Sequence, residues 1–162
     1  MDKVARSAAA AVADVPHGAT LLFGGFGVVQ GWPNSLLLAL RDHGARDLIV
    51  IFNTPGVGPL SAQLLADAGL VRKVIASFAA YPTRPTPIEE QIKAGKIELE
   101  LVPQGTLAER VRAGGAGIPA FYTPTGYGTK RAEGRETQNA NAIRAQHGPW
   151  QAGSLSHRGG GV

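Results

Sequence analysis

The motif with the clearest chemical potential is Gly24-Gly25-Phe26-Gly27, which directly follows the apolar run Thr20-Leu21-Leu22-Phe23. Clustered glycines let a ligand approach the backbone closely and let N–H groups point outward. Such N–H groups can hold an oxyanion or a phosphate. A tight strand-to-helix turn uses the same residues, and the local pattern does not choose between the two. Gly25 and Gly27 have the first spacing of the dinucleotide fingerprint, but position 30 is Gln30, which disfavours a Rossmann dehydrogenase. A phosphate loop ending in Gly-Lys-Ser/Thr is absent.

The remaining reactive side chains are mostly explained by local structure. Glu89 and Glu109 each sit three residues after a threonine, the spacing of a capping box. Glu98 and Glu100 alternate with apolar residues and read as the wet face of a strand. Glu90 falls on an exposed helix face. No glutamate lies in a glycine loop, so the chain shows no carboxylate nucleophile of its own. His17 and His43 lie at element boundaries and His147 and His157 in the tail, none with metal-ligand spacing. The absence of cysteine removes a disulfide scaffold, a thiolate metal site and a Cys nucleophile. No nucleophile elbow supports Ser/His/Asp catalysis.

These residues need elements to position them. An Ala-rich helix is expected over Asp2–Val15, capped by Asp2 and ended by Pro16-His17-Gly18. Thr20–Phe23 reads as a buried strand, and Leu36–Arg41 as a helix closed by His43-Gly44. The unit repeats: strand Leu48–Phe52, loop Asn53-Thr54-Pro55-Gly56, helix Ser61–Ala68, strand Val74–Phe78. Thr86-Pro87-Ile88-Glu89 predicts a helix start with proline at the first helical position, and Gly95 its end. Strand Ile97–Leu101 leads to Pro103-Gln104-Gly105, and Thr106-Leu107-Ala108-Glu109 predicts another short helix, broken at Gly114-Gly115-Ala116-Gly117. Phe121–Thr129, dense in aromatics, Pro and Gly, reads as an ordered loop. Strands alternating with helices about every 25 residues predict an α/β fold with an open, mostly parallel sheet and flanking helices. Ligands of such sheets sit at the carboxyl ends of the strands. The Gly24, Asn53 and Gln104 loops occupy that position.

Charge argues against a nucleic-acid partner. Residues 130–162 carry five basic and two acidic side chains, whereas the other 129 carry eleven and ten. The net charge of +4 therefore belongs mainly to the tail and forms no basic stripe on a folded face. No run of about 18 apolar residues is present, and no leader-like apolar segment opens the chain. Membrane insertion and secretion are not expected, and a cytoplasmic location is. From Thr137 to Val162 there is no acidic residue and no apolar periodicity, so this stretch reads as a disordered tail.

Together these segments resemble the A-type chain of family I coenzyme A transferases, in particular the succinyl-CoA:3-oxoacid type. The resemblance runs from Met1 to about Glu136 and is carried chiefly by Leu101-Val102-Pro103-Gln104-Gly105-Thr106-Leu107-Ala108-Glu109-Arg110, Arg112–Gly117 and Phe121–Thr129. Gly24–Gly27 adds to it. The resemblance implies a CoA transferase (NagB-like) fold over 1–136, incomplete at the C-terminus, with a non-family tail over 137–162. It implies a B-subunit partner that supplies a nucleophilic glutamate, acyl-CoA and a 3-oxo or related carboxylic acid as substrates, and no cofactor beyond coenzyme A itself. Gly24, Gly25, Phe26 and Gly27 are then expected to line the site, with Gln104 as an amide donor to the acyl or carboxylate group and Asn53 as its neighbour. Three departures suggest a subgroup with a different acyl group. The glycine loop is one residue longer before Gly31, His17 replaces the usual Asp or Asn, and Asn53-Thr54 stands where two asparagines are common. The change in composition near Thr137 is expected to mark a truncation or frame shift. A non-catalytic acyl-CoA or sugar-phosphate binding module, or an inactive truncated remnant, is the alternative on the same scaffold.

Overall fold

The apolar runs pair side by side. In a computed structural model that describes residues 4–24, 31–81, 85–138 and 142–146, β1 (Thr20–Leu22), β2 (Leu48–Phe52), β3 (Val71–Ala76) and β4 (Glu98–Leu101) form a four-stranded sheet in the order β1-β2-β3-β4. Every pairing is parallel. The strand β2 has the expected bounds, and all five of its residues are buried. It pairs on both edges, so an unbroken apolar run is what its position requires. The expectation of a buried β1 is corrected: Leu22 is 55% exposed, because β1 lies at the edge of the sheet with β2 as its one partner among the described residues.

Helix α1 (Ala8–Val12) precedes β1, and α2 (Asn34–His43), α3 (Gln63–Asp67) and α4 (Pro87–Lys93) connect the strands. Leu37 and Leu40 of α2, Leu65 and Ala66 of α3 and Ile88 of α4 pack in one core with Leu48, Val50 and Phe52 of β2 and Val74 and Ala76 of β3. The strand residues alternate, so they share one face of the sheet. Each large apolar side chain so buried contributes about 1.5–3 kcal/mol.

Several element ends differ from the sequence reading, each for a local reason. Ser7 rather than Asp2 caps α1, its hydroxyl accepting from the Ala10 N–H at 3.1 Å; Met1–Lys3 lie outside the described residues. The strand β3 starts at Val71, paired with Leu48, and stops at Ala76, because the next two N–H groups turn onto the Asn53 carbonyl. Thr86 caps α4 as expected, accepting from the Glu89 N–H with Pro87 at the first helical position.

The chain divides into two compact units, Met1–Val102 and Pro103–Val162. The second holds α5 (Gln104–Gly115) and a three-stranded antiparallel sheet of β5 (Ala120–Thr123), β7 (Ala142–Gln146) and β6 (Thr137–Gln138), in that order. The helix α5 starts two residues before the expected capping box. Pro103 is its N-cap, and its carbonyl accepts the Leu107 N–H at 2.8 Å. Thr106 is therefore buried inside the helix, and Glu109 turns to Arg112 instead of to the N-terminus. Phe121 to Thr123, expected in a loop, belong to β5; the turn proper is Pro124–Thr129, closed by Tyr127 N–H to Pro124 O at 3.1 Å. Both β6 and β7 lie past the boundary expected at Glu136, so strand pairing reaches Gln146.

Two features of the first unit generate tests. Gly56 has φ +75°, and a Cβ there would meet the Trp32 ring at 2.7 Å and the Ser61 Cβ at 2.9 Å. Gly44, the C-cap of α2, has φ +76° but open space around it. Gly44→Ala is expected to cost about 1–2 kcal/mol for the left-handed backbone. Gly56→Ala is expected to cost about 2–4 kcal/mol, because overpacking adds to the backbone cost. Equal midpoint shifts in urea unfolding would show that Trp32 swings aside.

Lys73 on β3 bridges Glu98 at 2.9 Å and Glu100 at 3.3 Å on β4. Burial pulls the ammonium pKa down, but the hydrogen bonds and charges of the two carboxylates outweigh it and hold the pKa above its ordinary value. A raised folded-state pKa stabilises the fold fully below the unfolded value of about 10.4, and that stability is lost as pH rises through the folded value. Lys73→Met is expected to cost about 1 kcal/mol at neutral pH, the scale of two cross-strand ion pairs. The deficit is expected to shrink as pH rises through the folded-state value of Lys73, where the ammonium loses its proton and the two ion pairs are lost. A deficit independent of pH in urea titrations would assign the effect to packing of the Lys73 stem.

Candidate functional site

Parallel pairing places all four carboxyl strand ends of the first sheet at one edge. The register Leu22↔Ile51, with the Phe23 N–H donated to the Ile51 carbonyl at 2.9 Å, brings Gly24 beside Asn53. Both are exposed, and no atom of the described residues lies within 4 Å of where a Gly24 side chain would start. Gly25, Phe26 and Gly27 lie outside the described residues. Gln104 is the first residue of α5 and is exposed. It belongs to the second unit and sits on a helix rather than in the expected loop, in the first turn, whose N–H groups have no intrahelical acceptor.

The Asn53 turn is held from several sides. Its carbonyl accepts from Ser77 N–H at 3.1 Å and Phe78 N–H at 3.0 Å, which ties the end of β2 to the end of β3. The hydroxyls of Thr54 and Tyr81 are 2.6 Å apart. Further along, the buried Gln63 side chain donates to the Gly56 carbonyl at 3.1 Å and accepts from the Ile88 N–H at 3.0 Å. Both ends of a buried amide are thereby satisfied, as a buried polar group requires. Ser61 donates to the Gly58 carbonyl at 2.8 Å. The Trp32 indole packs on Gly56 and meets Phe52 edge-on at 6.3 Å. The Asn53 side chain thus projects from a braced turn.

The sequence reading did not single out Gln63, Trp32, Ser77, Thr54–Tyr81 or Phe78. Their partners lie up to 27 residues away, so no local pattern marks them. Ser77 Oγ is buried and has no hydrogen-bond partner among the described residues.

Several glutamates have cationic partners. Lys93 donates to Glu89 at 2.7 Å and Arg112 to Glu109 at 2.6 Å. Those hydrogen bonds hold both carboxyls below their ordinary pKa. Glu98 and Glu100 share Lys73. His17 accepts the Arg46 N–H at its Nδ1, 2.9 Å away, which makes it a clamp at the entry to β1. Among the described residues, the turns after β1 and β2 carry neutral groups: an amide at Asn53, a hydroxyl at Thr54 and backbone N–H groups. Such groups bind an anion or a developing oxyanion without a charge of their own.

Residues 5–146 match the family described as coenzyme A transferase. The chain is 48% identical over 138 residues to the A-type chain of the 3-oxoadipate CoA-transferase of Pseudomonas putida, covering 85% of this chain and 59% of that protein. It is 48% identical over 136 residues to the A-type chain of a probable succinyl-CoA:3-ketoacid coenzyme A transferase of Bacillus subtilis, covering 84% and 56%. The chain thus spans somewhat more than half the length of these relatives. An acyl-CoA transferase of Escherichia coli O157:H7, solved as a thioester complex with CoA, has the same fold at TM-score 0.73, with 24% identity and coverage of 86% of this chain and 31% of that one. With its parallel sheet and its match over residues 5–146, the chain belongs to the coenzyme A transferase family.

Proposed function

We propose that this chain acts as the A-type half of a CoA transferase site, moving CoA from an acyl-CoA such as succinyl-CoA to a 3-oxo carboxylic acid. The observation that carries this reading is the similarity to the A-type chains of named CoA transferases, at nearly half of all positions over 138 residues. The side-by-side Gly24 and Asn53 turns support it, because they present neutral donors at a sheet edge.

A B subunit supplies the nucleophile in this reading. Its glutamate carboxylate attacks the thioester carbonyl, and CoA leaves as the thiolate, giving a mixed anhydride. The thiolate then attacks the glutamyl carbonyl and releases the first acid as its carboxylate. The resulting glutamyl-CoA thioester is attacked by the acceptor carboxylate, which frees the thiolate and forms a second anhydride. Return of the thiolate to the acyl carbonyl yields the new acyl-CoA and restores the glutamate. Covalent catalysis of this kind divides one hard step into easier ones. Each attack places negative charge on a carbonyl oxygen. The role of Asn53, Gln104 and the Gly24–Gly27 loop is to donate hydrogen bonds to that charge. No cofactor is needed, since coenzyme A is itself a substrate.

The test is CoA transfer from succinyl-CoA to 3-oxoadipate and to acetoacetate, with the chain co-expressed beside its B subunit. Gln104→Ala is expected to lower kcat about 10²–10³-fold, the scale of one oxyanion donor. A folded complex that binds acyl-CoA but transfers it to neither acid would replace this reading with a binding module.

A further inference from the structure

The turn after β2 is fastened to the chain after β3 at two successive residues. Asn53 does so through its carbonyl, which takes the Ser77 and Phe78 N–H groups. Thr54 does so through its hydroxyl, 2.6 Å from that of Tyr81. The Tyr81 ring is braced by Phe78, which meets it edge-on with centroids 5.4 Å apart and planes at 87°. Phe78 is 46% exposed. An open apolar ring, a hydroxyl pair and an amide side chain therefore stand together at one strand-end corner.

Proton counting adds a directional element. Two hydroxyls carry two protons, and the bond between them uses one. The second proton is left to donate elsewhere, whichever hydroxyl holds it. The corner thus offers an O–H donor next to an apolar wall. Its complement is a carbon chain that carries an oxygen some way from the reacting carboxylate.

Building on the transfer reading, we propose that Thr54, Phe78 and Tyr81 select the carboxylic acid. The Phe78 ring lies along the carbon chain of the acid, and the hydroxyl pair donates its second proton to an oxygen distal to the reacting carboxylate. The Thr54–Tyr81 bond also holds the Asn53 turn in place. Selection and positioning then share one contact.

Adipate and hexanoate separate the two terms, since they have equal length and differ in the distal carboxylate. Binding of each is read by ligand-observed NMR on the complex of this chain with its B subunit. The wild type is expected to prefer adipate. The double variant Tyr81→Phe/Thr54→Val, which removes both hydroxyls, is expected to weaken adipate about 3- to 10-fold, the scale of one hydrogen bond, with hexanoate unchanged. Thr54→Ser keeps the hydroxyl and is expected to keep the preference. Equal weakening of both acids, or no weakening, overturns the proposal. Amide exchange at Ser77 and Phe78 gives a second readout that needs no ligand: Tyr81→Phe is expected to speed both, and unchanged rates overturn the positioning part. If the wild type transfers CoA to no acid yet shows the adipate preference, the transfer reading fails while the acid contact stands.

Discussion

Two parallel ladders meet on β2, and the rest of the first unit depends on that meeting. A strand that pairs on both edges and is buried on both faces has its register fixed, because a slip by one residue would exchange its faces. Leu48, Val50 and Phe52 reach the helical core while Ile49 and Ile51 are buried on the other side. Parallel pairing then dictates where the chain must turn. Each crossover returns to the same starting edge, so the turns after β1, β2 and β3 are neighbours by construction. The candidate site is a consequence of connectivity before it is a matter of side chains.

The turn after β2 is rigid because polar groups within it are answered by protein. Asn53, Gly56 and Gly58 each give a carbonyl to a donor from another segment or turn. The buried Gln63 amide links the turn to the start of α4. Removing one partner of such a buried network leaves the other unsatisfied, at about 1–3 kcal/mol. The Trp32 ring fills the space over Gly56, so the glycine answers both a backbone angle and a packing constraint. Side chains projecting from this turn are held ready, which lowers the cost of ordering them around a ligand.

The parts of the fold legible in sequence are those fixed by near neighbours. The five apolar residues of β2 were bounded by their own pattern, and Thr86-Pro87 announced the start of α4. The Thr106 capping box carried the same signal and was overridden, because Pro103 had already nucleated α5 and left Thr106 buried in its first turn. Edge status is set by topology, so the exposure of Leu22 had no sequence signature. The tail reading also met a limit: Ala142–Gln146 has no apolar alternation, yet its backbone pairs with Ala120–Thr123. The strand-end rule pointed to Gly24 and Asn53, which do follow the ends of β1 and β2. The bracing by Gln63, Trp32 and Tyr81 spans 7 to 27 residues and was not visible to it.

The site's chemistry follows from what the described strand ends hold and where the carboxylates have gone. Carboxylates at Glu89 and Glu109 are drawn toward Lys93 and Arg112, and those at Glu98 and Glu100 toward Lys73. Glu89 and Glu109, held low in pKa by their cations, are poorer nucleophiles than free carboxylates, since basicity and nucleophilicity fall together. The turns at Gly24 and Asn53 instead supply hydrogen-bond donors without net charge. Such donors stabilise an oxyanion without neutralising an incoming carboxylate. The proposed transfer asks for donors of this kind, since it forms an oxyanion at each attack.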